Sequence, residues 1–258
     1  MKTLLAAVFL AATPVLAKPV SKPVAYEVGK TKFEGVLIFD DASKAPRPGL
    51  VLVPNWMGIN PANLKQAEEL AGTKYVVFVA DMFGKGAQPK NGEEAAKTSG
   101  AVKADRKLMR ERVNKALEVL LAQAKTAPLE AGKVGAVGFC FGGTAALELA
   151  RSGAKIAAVV SMHGGLAAGT PADPKAIQAK VLALHGADDP FVPAEEVKGF
   201  EDEMRKAAVD WQLVAFGNAV HSFTDVDANT PGKSQYNPKV AKRAFEMMNV
   251  YFAEAFAP

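Results

Sequence analysis

The chain has 258 residues, 49% hydrophobic and 22% charged, a balance that excludes wholesale disorder, collagen and coiled coil. Lys and Arg number 31 against 27 Asp and Glu, a formal charge of +4 with no concentrated basic stripe, so nucleic acid is not an expected partner. The single cysteine, Cys140, excludes intramolecular disulfides and Cys-rich zinc sites, and leaves sulfur or imidazole chemistry to Cys140, His163, His185 and His221.

Residues 1–17 (MKTLLAAVFLAATPVLA) read as a signal peptide. Lys2 is a minimal positive start, Leu4 to Ala12 an apolar core, and Val15-Leu16-Ala17 a small-residue exit. The run is far shorter than the roughly 20 apolar residues of a membrane span, and no other segment is a candidate. The mature protein is expected to be exported, periplasmic or secreted, with residues 18–23 as a flexible tail.

Two β-like runs follow, Val24 to Gly29 and Lys32 to Asp40, joined at Gly29-Lys30 as a hairpin. An alternation then begins. Gly49 to Pro54 is an apolar strand, Pro61 to Ala71 a helix, and Tyr75 to Ala80 a buried strand. Gly92 to Ala104 is polar, with weak periodicity, and the sequence leaves open whether residues 84–100 act as a lid. Leu108 to Leu121 is an amphipathic helix with Met109, Val113, Ala116, Leu117 and Leu120 on one face. Strands are expected at Lys133 to Phe139, Ile156 to Met162, Val181 to Leu184 and Trp211 to Phe216. Helices are expected at Phe141 to Ser152, Ala194 to Ala208 and Val240 to Phe256, the last with Phe245, Met248 and Phe252 inward. Short Val- and Leu-rich strands alternating with helices predict one α/β domain over residues 24–258: a mostly parallel, doubly wound sheet with helices on both faces. Its ligands belong at the C-terminal ends of the strands.

The strongest local feature is Gly138-Phe139-Cys140-Phe141-Gly142-Gly143, where a strand hands over to a helix. G-x-C-x-G-G is a nucleophile elbow with Cys in place of Ser. Residues two before and two after the nucleophile crowd each other at so sharp a turn unless both are glycine. The helix starting at Phe141 aims its free N–H groups and positive end at the sulfur, which favours a thiolate and an oxyanion. A dinucleotide fingerprint would need glycine where Cys140 stands and an acid near Val160, and has neither.

A cysteine nucleophile needs a base, and the base needs an orienting acid. His163 ends one strand, His185 another, and His221 follows the last strand. All three can reach the C-terminal edge. The order nucleophile, acid, histidine selects His221, because an acid-bearing loop separates it from Cys140. His163 and His185 are expected to cap strand ends with structural hydrogen bonds. In Asp188-Asp189-Pro190 the two acids point apart, and the rigid turn at Pro190 favours Asp189 as the orienting acid.

These residues resemble the dienelactone hydrolase family of the α/β-hydrolases. The resemblance is carried by the elbow, by His185-Gly186-Ala187-Asp188-Asp189-Pro190-Phe191-Val192-Pro193, by Val220-His221-Ser222-Phe223, and by Pro54-Asn55-Trp56-Met57-Gly58-Ile59-Asn60, and it covers residues 24–256. It implies an α/β-hydrolase fold and a triad of Cys140, Asp189 and His221. It also implies an oxyanion hole from the backbone N–H groups of Phe141 and Trp56. The founding members carry a Glu, which helps activate the thiol, where this chain has Asn55, which cannot take a proton. They hold the substrate carboxylate with arginines where Lys85 and Asp225 stand here. Asn55 and Lys85 are therefore pocket candidates with altered roles. Phe83, Trp56, Met57, Phe141 and Phe223 are candidates either for an apolar pocket wall or for ordinary packing.

The expected function is an exported hydrolase that cleaves an ester or lactone through a thioester. Its substrate would be a small neutral or weakly anionic molecule, its state a monomer, and it would need no metal or cofactor. Two other readings stay open: a non-catalytic small-molecule binder on a hydrolase scaffold, and a redox-sensing thiol.

Overall fold

The computed structural model describes residues 19–169 and 174–258. The signal peptide expected at residues 1–17 lies outside them. Strands β1 (Pro19–Val28) and β2 (Thr31–Asp40) form an antiparallel hairpin, and Val28 pairs with Thr31 across Gly29-Lys30. Gly29 takes φ 58, a conformation that glycine adopts without strain. The remaining strands of the main sheet are β3 (Arg47–Val53), β4 (Val76–Val79), β5 (Leu129–Phe139), β6 (Ala158–Met162), β7 (Lys180–Gly186) and β8 (Trp211–Phe216). The sheet runs β1-β2-β4-β3-β5-β6-β7-β8, antiparallel at its first two junctions and parallel from β4 to β8. This is the mostly parallel sheet expected of an α/β-hydrolase fold.

Residues 19–23 are not a tail. They open β1, with Pro19 paired to Asp40 and Pro23 to Val36. β1 is an edge strand, where a proline's missing N–H need cost no ladder bond. Composition alone cannot separate a proline-containing edge strand from a loop.

Helices cover both faces. Along β3, Leu50 and Leu52 point to one face and Val51 and Val53 to the other. The first pair packs with α1 (Pro61–Ala71) and α6 (Pro238–Ala255), through Ala67, Ala71, Ala244, Met248 and Phe252. The second pair packs with α2 (Gly92–Ala104), α3 (Arg106–Ala122), α4 (Phe141–Arg151) and α5 (Ala194–Ala207). On α3 the buried stripe is Met109, Val113, Ala116, Leu117 and Leu120, as its periodicity requires. α2 is a full helix despite its weak pattern. Asn91 caps it by accepting from the Glu94 N–H, two acids occupy its first turn, and Ala95, Ser99 and Val102 are buried at helical spacing. Its buried face is built of small residues, which leave little hydrophobic signal.

β3 leads to β4 on one side and lies beside β5 on the other, so the chain switches direction between β3 and β5. A crevice opens outside the strand ends at such a point. The loop after β3 carries Trp56 and the turn after β5 carries Cys140.

Candidate active site

Cys140 is the N-cap of α4, at φ 54 and ψ −117. A non-glycine residue held there costs of order 1–3 kcal/mol, which the surroundings must over-determine. Its carbonyl accepts from the N–H groups of Gly143 at 3.0 Å and Thr144 at 3.3 Å, while its own N–H donates to the Met162 carbonyl at 3.0 Å. A Cβ on Gly138 would overlap the Gly142 carbonyl, and a Cβ on Gly142 would overlap the Val53 carbonyl. The crowding expected two residues either side of the nucleophile is therefore present.

The elbow faces two loops from further along the sheet. His221 Nε2 lies 2.9 Å from Cys140 Sγ, and its Nδ1 lies 2.7 Å from Asp189 Oδ2. The other Asp189 oxygen, Oδ1, accepts from the Phe191 N–H at 2.9 Å. The Asp189 side chain is fully buried. Asp188 is exposed, and its backbone N–H donates to the Ala219 carbonyl, tying the acid's loop to the histidine's. Burial alone would push the His221 imidazole down. Its hydrogen bonds to Asp189 and Cys140, and the charges of both, outweigh that and raise it to about 10. An imidazole so raised is suited to take the proton of the Cys140 thiol.

The His221 backbone is pinned from outside the sheet. Its N–H donates to the Lys233 carbonyl and its carbonyl accepts from the Gln235 N–H, both in a small hairpin, β9 (Asn229–Thr230) and β10 (Ser234–Gln235). Two residues on, Phe223 is wholly buried against Phe216 and the His163 ring. Burying a phenyl ring contributes about 1.5–3 kcal/mol, enough to hold this short loop against fraying.

A cavity of about 460 Å³ opens over Cys140. Trp56, Phe141, Phe191 and Val192 form its apolar wall. Ser99, Gly100 and Lys103 enter from α2, Thr144 from α4, and Thr230, Lys233 and Ser234 from the hairpin. Among the described residues, none that bears a carboxylate lines it. Lys103 and Lys233 are exposed, and neither makes an ion pair among the described residues. Two of the large exposed apolar side chains, Trp56 and Phe191, stand on this wall.

Of the residues singled out from sequence, Trp56 and Phe141 line the cavity, and Asn55, Met57, Phe83, Lys85 and Phe223 do not. Phe83 is buried behind Phe141, ring centroids 5.4 Å apart. Lys85 turns outward to Glu34 at 2.6 Å. Met57 is half-buried, and its N–H donates to Asn55 Oδ1. Asn55 holds its own loop: Oδ1 also accepts from Asn63 Nδ2, and Nδ2 reaches Asp225 Oδ2 at 3.4 Å. Asp225 is thus turned toward Asn55. An amide suits this arrangement because it donates and accepts at once, which a carboxylate cannot do.

Sequence reasoning missed the cavity's polar lining. Phe191 and Val192 stood inside a quoted motif. Lys103 and Lys233 carry no local signal, since only the packing of α2 and the hairpin brings them to the cavity. The other two histidines separate. His163 makes the expected structural bond, at the elbow itself, with Nδ1 3.1 Å from the Cys140 N–H. His185 is buried, and its Nδ1 has no hydrogen-bond partner among the described residues. Burial lowers both imidazoles, most strongly His163. Among the described residues no group of three His, Cys, Asp or Glu side chains is arranged to hold a metal ion, and no helix is long and apolar enough to cross a membrane.

Known proteins share this arrangement of elements. A dienelactone hydrolase-like promiscuous phosphotriesterase from metagenomic libraries is 38% identical, with a TM-score of 0.86 over 93% of this chain and 99% of its own. A dienelactone hydrolase from Anabaena variabilis, 23% identical, has a TM-score of 0.62 over 93% of this chain and 99% of its own, a likeness of fold. An uncharacterized protein of Caenorhabditis elegans is 34% identical over 147 residues, 55% of this chain and 92% of its own. The model of the dienelactone hydrolase family matches residues 33–256, and with that extent of match the chain belongs to the dienelactone hydrolase family.

Proposed function

We propose that this hydrolase cleaves an ester or lactone with Cys140 as nucleophile, His221 as acid and base, and Asp189 as orienting acid. The observation that carries the reading is the unbroken run from Cys140 Sγ through His221 to buried Asp189, at 2.9 and 2.7 Å, set at a strained elbow.

Cys140 Sγ, having passed its proton to His221 Nε2, attacks the carbonyl carbon; a C–S bond forms and the carbonyl electron pair moves onto oxygen. The N–H groups of Phe141 and Trp56 are suited to receive that oxyanion, because neither is given to another hydrogen bond among the described residues. Collapse expels the alkoxide, which takes the proton from His221 Nε2 and leaves a thioester. His221, now neutral at Nε2, takes a proton from water. The hydroxide adds to the thioester, and expulsion of the sulfur releases the acid. Asp189 keeps Nδ1 protonated throughout, so Nε2 always faces the sulfur. One oxyanion donor is worth roughly 10²–10³ in turnover. Asn55 has no proton to exchange with the thiol, so His221 is the base that takes the Cys140 proton. The lysines, which make no ion pair among the described residues, favour an acyl or leaving group carrying a distant negative charge, while Trp56 and Phe191 favour an apolar body.

The test is p-nitrophenyl ester turnover by the wild type and Cys140→Ala, with intact-mass detection of an acyl group on Cys140. Equal turnover in the two proteins sinks the reading. A second reading is favoured by the relative named a promiscuous phosphotriesterase: Sγ attack on a phosphotriester, tested by paraoxon turnover. The proposal extends to export, which rests on residues 1–17 and requires that mature protein isolated outside the cytoplasm begin at Lys18.

A further inference from the structure

A second imidazole lies behind the elbow, outside the steps above. His163 closes β6 at φ 41 and is 1% exposed. The Cys140 N–H donates to its Nδ1 at 3.1 Å, so the ring's proton resides on Nε2, which donates to Thr224 Oγ1 at 2.7 Å. Thr224 is itself buried and sits in the loop that carries His221. The ring thus joins the amide of the nucleophile to the loop of the base, alongside the direct contact between Sγ and Nε2. Satisfying the amide does not require the ring, because the same N–H lies 3.0 Å from the Met162 carbonyl.

We propose that His163 is a positioning residue that sets the separation of Cys140 Sγ from His221 Nε2 by tying the elbow to the His221 loop through Thr224. The inference rests on the reading of Cys140 and His221 as the reacting pair. The ring works only as the neutral Nε2–H form. A proton on Nδ1 would face the Cys140 N–H donor to donor, and would add a positive charge to a ring whose centroid lies 5.5 Å from that of His221. Burial opposes that protonation. Phe139 and Phe223 complete the ring's surroundings, so the titratable groups facing it are Cys140 and His221. His221 in turn is faced by Cys140, Asp189, His163 and, at longer range, His185.

The test compares Thr224→Val, which keeps the shape and removes the hydroxyl, with Thr224→Ser, which restores it, and with His163→Phe. Each is assayed for kcat and KM on a p-nitrophenyl ester and for the pH profile of Cys140 alkylation by iodoacetamide, with circular dichroism to confirm folding. A misplacement on the ångström scale costs up to about 10²-fold in rate, so Thr224→Val is expected to lower kcat roughly 10- to 100-fold with KM within about twofold. Its alkylation profile should differ from that of the wild type. Thr224→Ser should recover both. Wild-type kcat and profile in Thr224→Val, or a Thr224→Ser protein as impaired as Thr224→Val, overturns the proposal even if His163→Phe fails to fold. Ester turnover by Cys140→Ala would instead overturn the underlying reading.

Discussion

Replacing Asp189 by Asn tests the hydrogen-bond logic more sharply than deleting it, because the structure dictates how the new amide must sit. The Phe191 N–H needs an acceptor, and Asp189 Oδ1 supplies it at 2.9 Å. An asparagine that keeps this bond turns its NH₂ toward His221 Nδ1. That nitrogen must then accept, so the ring proton moves to Nε2 and the imidazole can no longer take the thiol proton. The tautomer loss alone can reach about 10⁴ in turnover. The alternative is to flip the amide and leave the Phe191 N–H unsatisfied, at about 1–3 kcal/mol, while losing roughly 1–1.5 kcal/mol as a charge-assisted bond becomes neutral. The flip costs about 2–4.5 kcal/mol in all, and at 1.36 kcal/mol per decade that is about 30- to 2000-fold. The protein adopts the cheaper route, so Asp189→Asn is expected to lower kcat/KM on a p-nitrophenyl ester within that range, with KM little changed. The ring's Nδ1 is paired with Asp189 and Asp188 is exposed, so Asp188→Asn should stay within about twofold of wild type. An Asp189→Asn enzyme within threefold of wild type would refute the assignment of Asp189 and the tautomer argument together.

Two further outcomes are expected. Lys103→Ala and Lys233→Ala should each raise KM for an anionic ester, such as p-nitrophenyl hemisuccinate, by up to about fivefold, the scale of an exposed ion pair, while leaving neutral p-nitrophenyl acetate within twofold; equal effects on both esters would remove the lysines from substrate recognition. On acidification below about pH 6.5, unfolded chains protonate their histidines while folded His163 stays neutral, so this lowered group contributes stability above that pH and loses it as pH falls through its folded value. Urea unfolding at pH 7, 6 and 5 should then show His163→Gln losing less stability than wild type, by about 1.4 kcal/mol per pH unit for the one proton. Parallel curves would mean that folded His163 takes up its proton as readily as the unfolded chain does.

The elements that order the sheet were readable because each has a strong local pattern. The apolar runs of β3 to β8 and the stripe of α3 leave few alternatives, and the glycines around Cys140 mark a backbone turn that other side chains would block. Asp189 and His221 were reachable because chain order limits which loops can meet the elbow. The limits were equally physical. Pro19 and Pro23 read as loop because an edge strand tolerates what a central strand does not. Phe83 and Phe223 have the composition of a pocket wall but lie beneath it, and only three-dimensional packing distinguishes the two. Lys85 points out to Glu34, while Lys103 and Lys233, unremarked in the chain, face the cavity from two separately folded segments. The link from His163 to Thr224 joins a strand end to a distant loop, and no sequence period relates the two.

The hairpin of β9 and β10 combines two duties on one short segment. Its side chains, Thr230, Lys233 and Ser234, face the cavity, while its backbone holds the His221 peptide through Lys233 and Gln235. Change therefore has two regimes there. Exchanging a side chain alters what the cavity admits and leaves the imidazole where it is. Inserting or deleting a single residue shifts the carbonyl that anchors His221 and disturbs the chemistry itself. New substrate preferences in this scaffold should accordingly be reached through substitutions in a hairpin of constant length, with length variation confined to loops that do not hold the base.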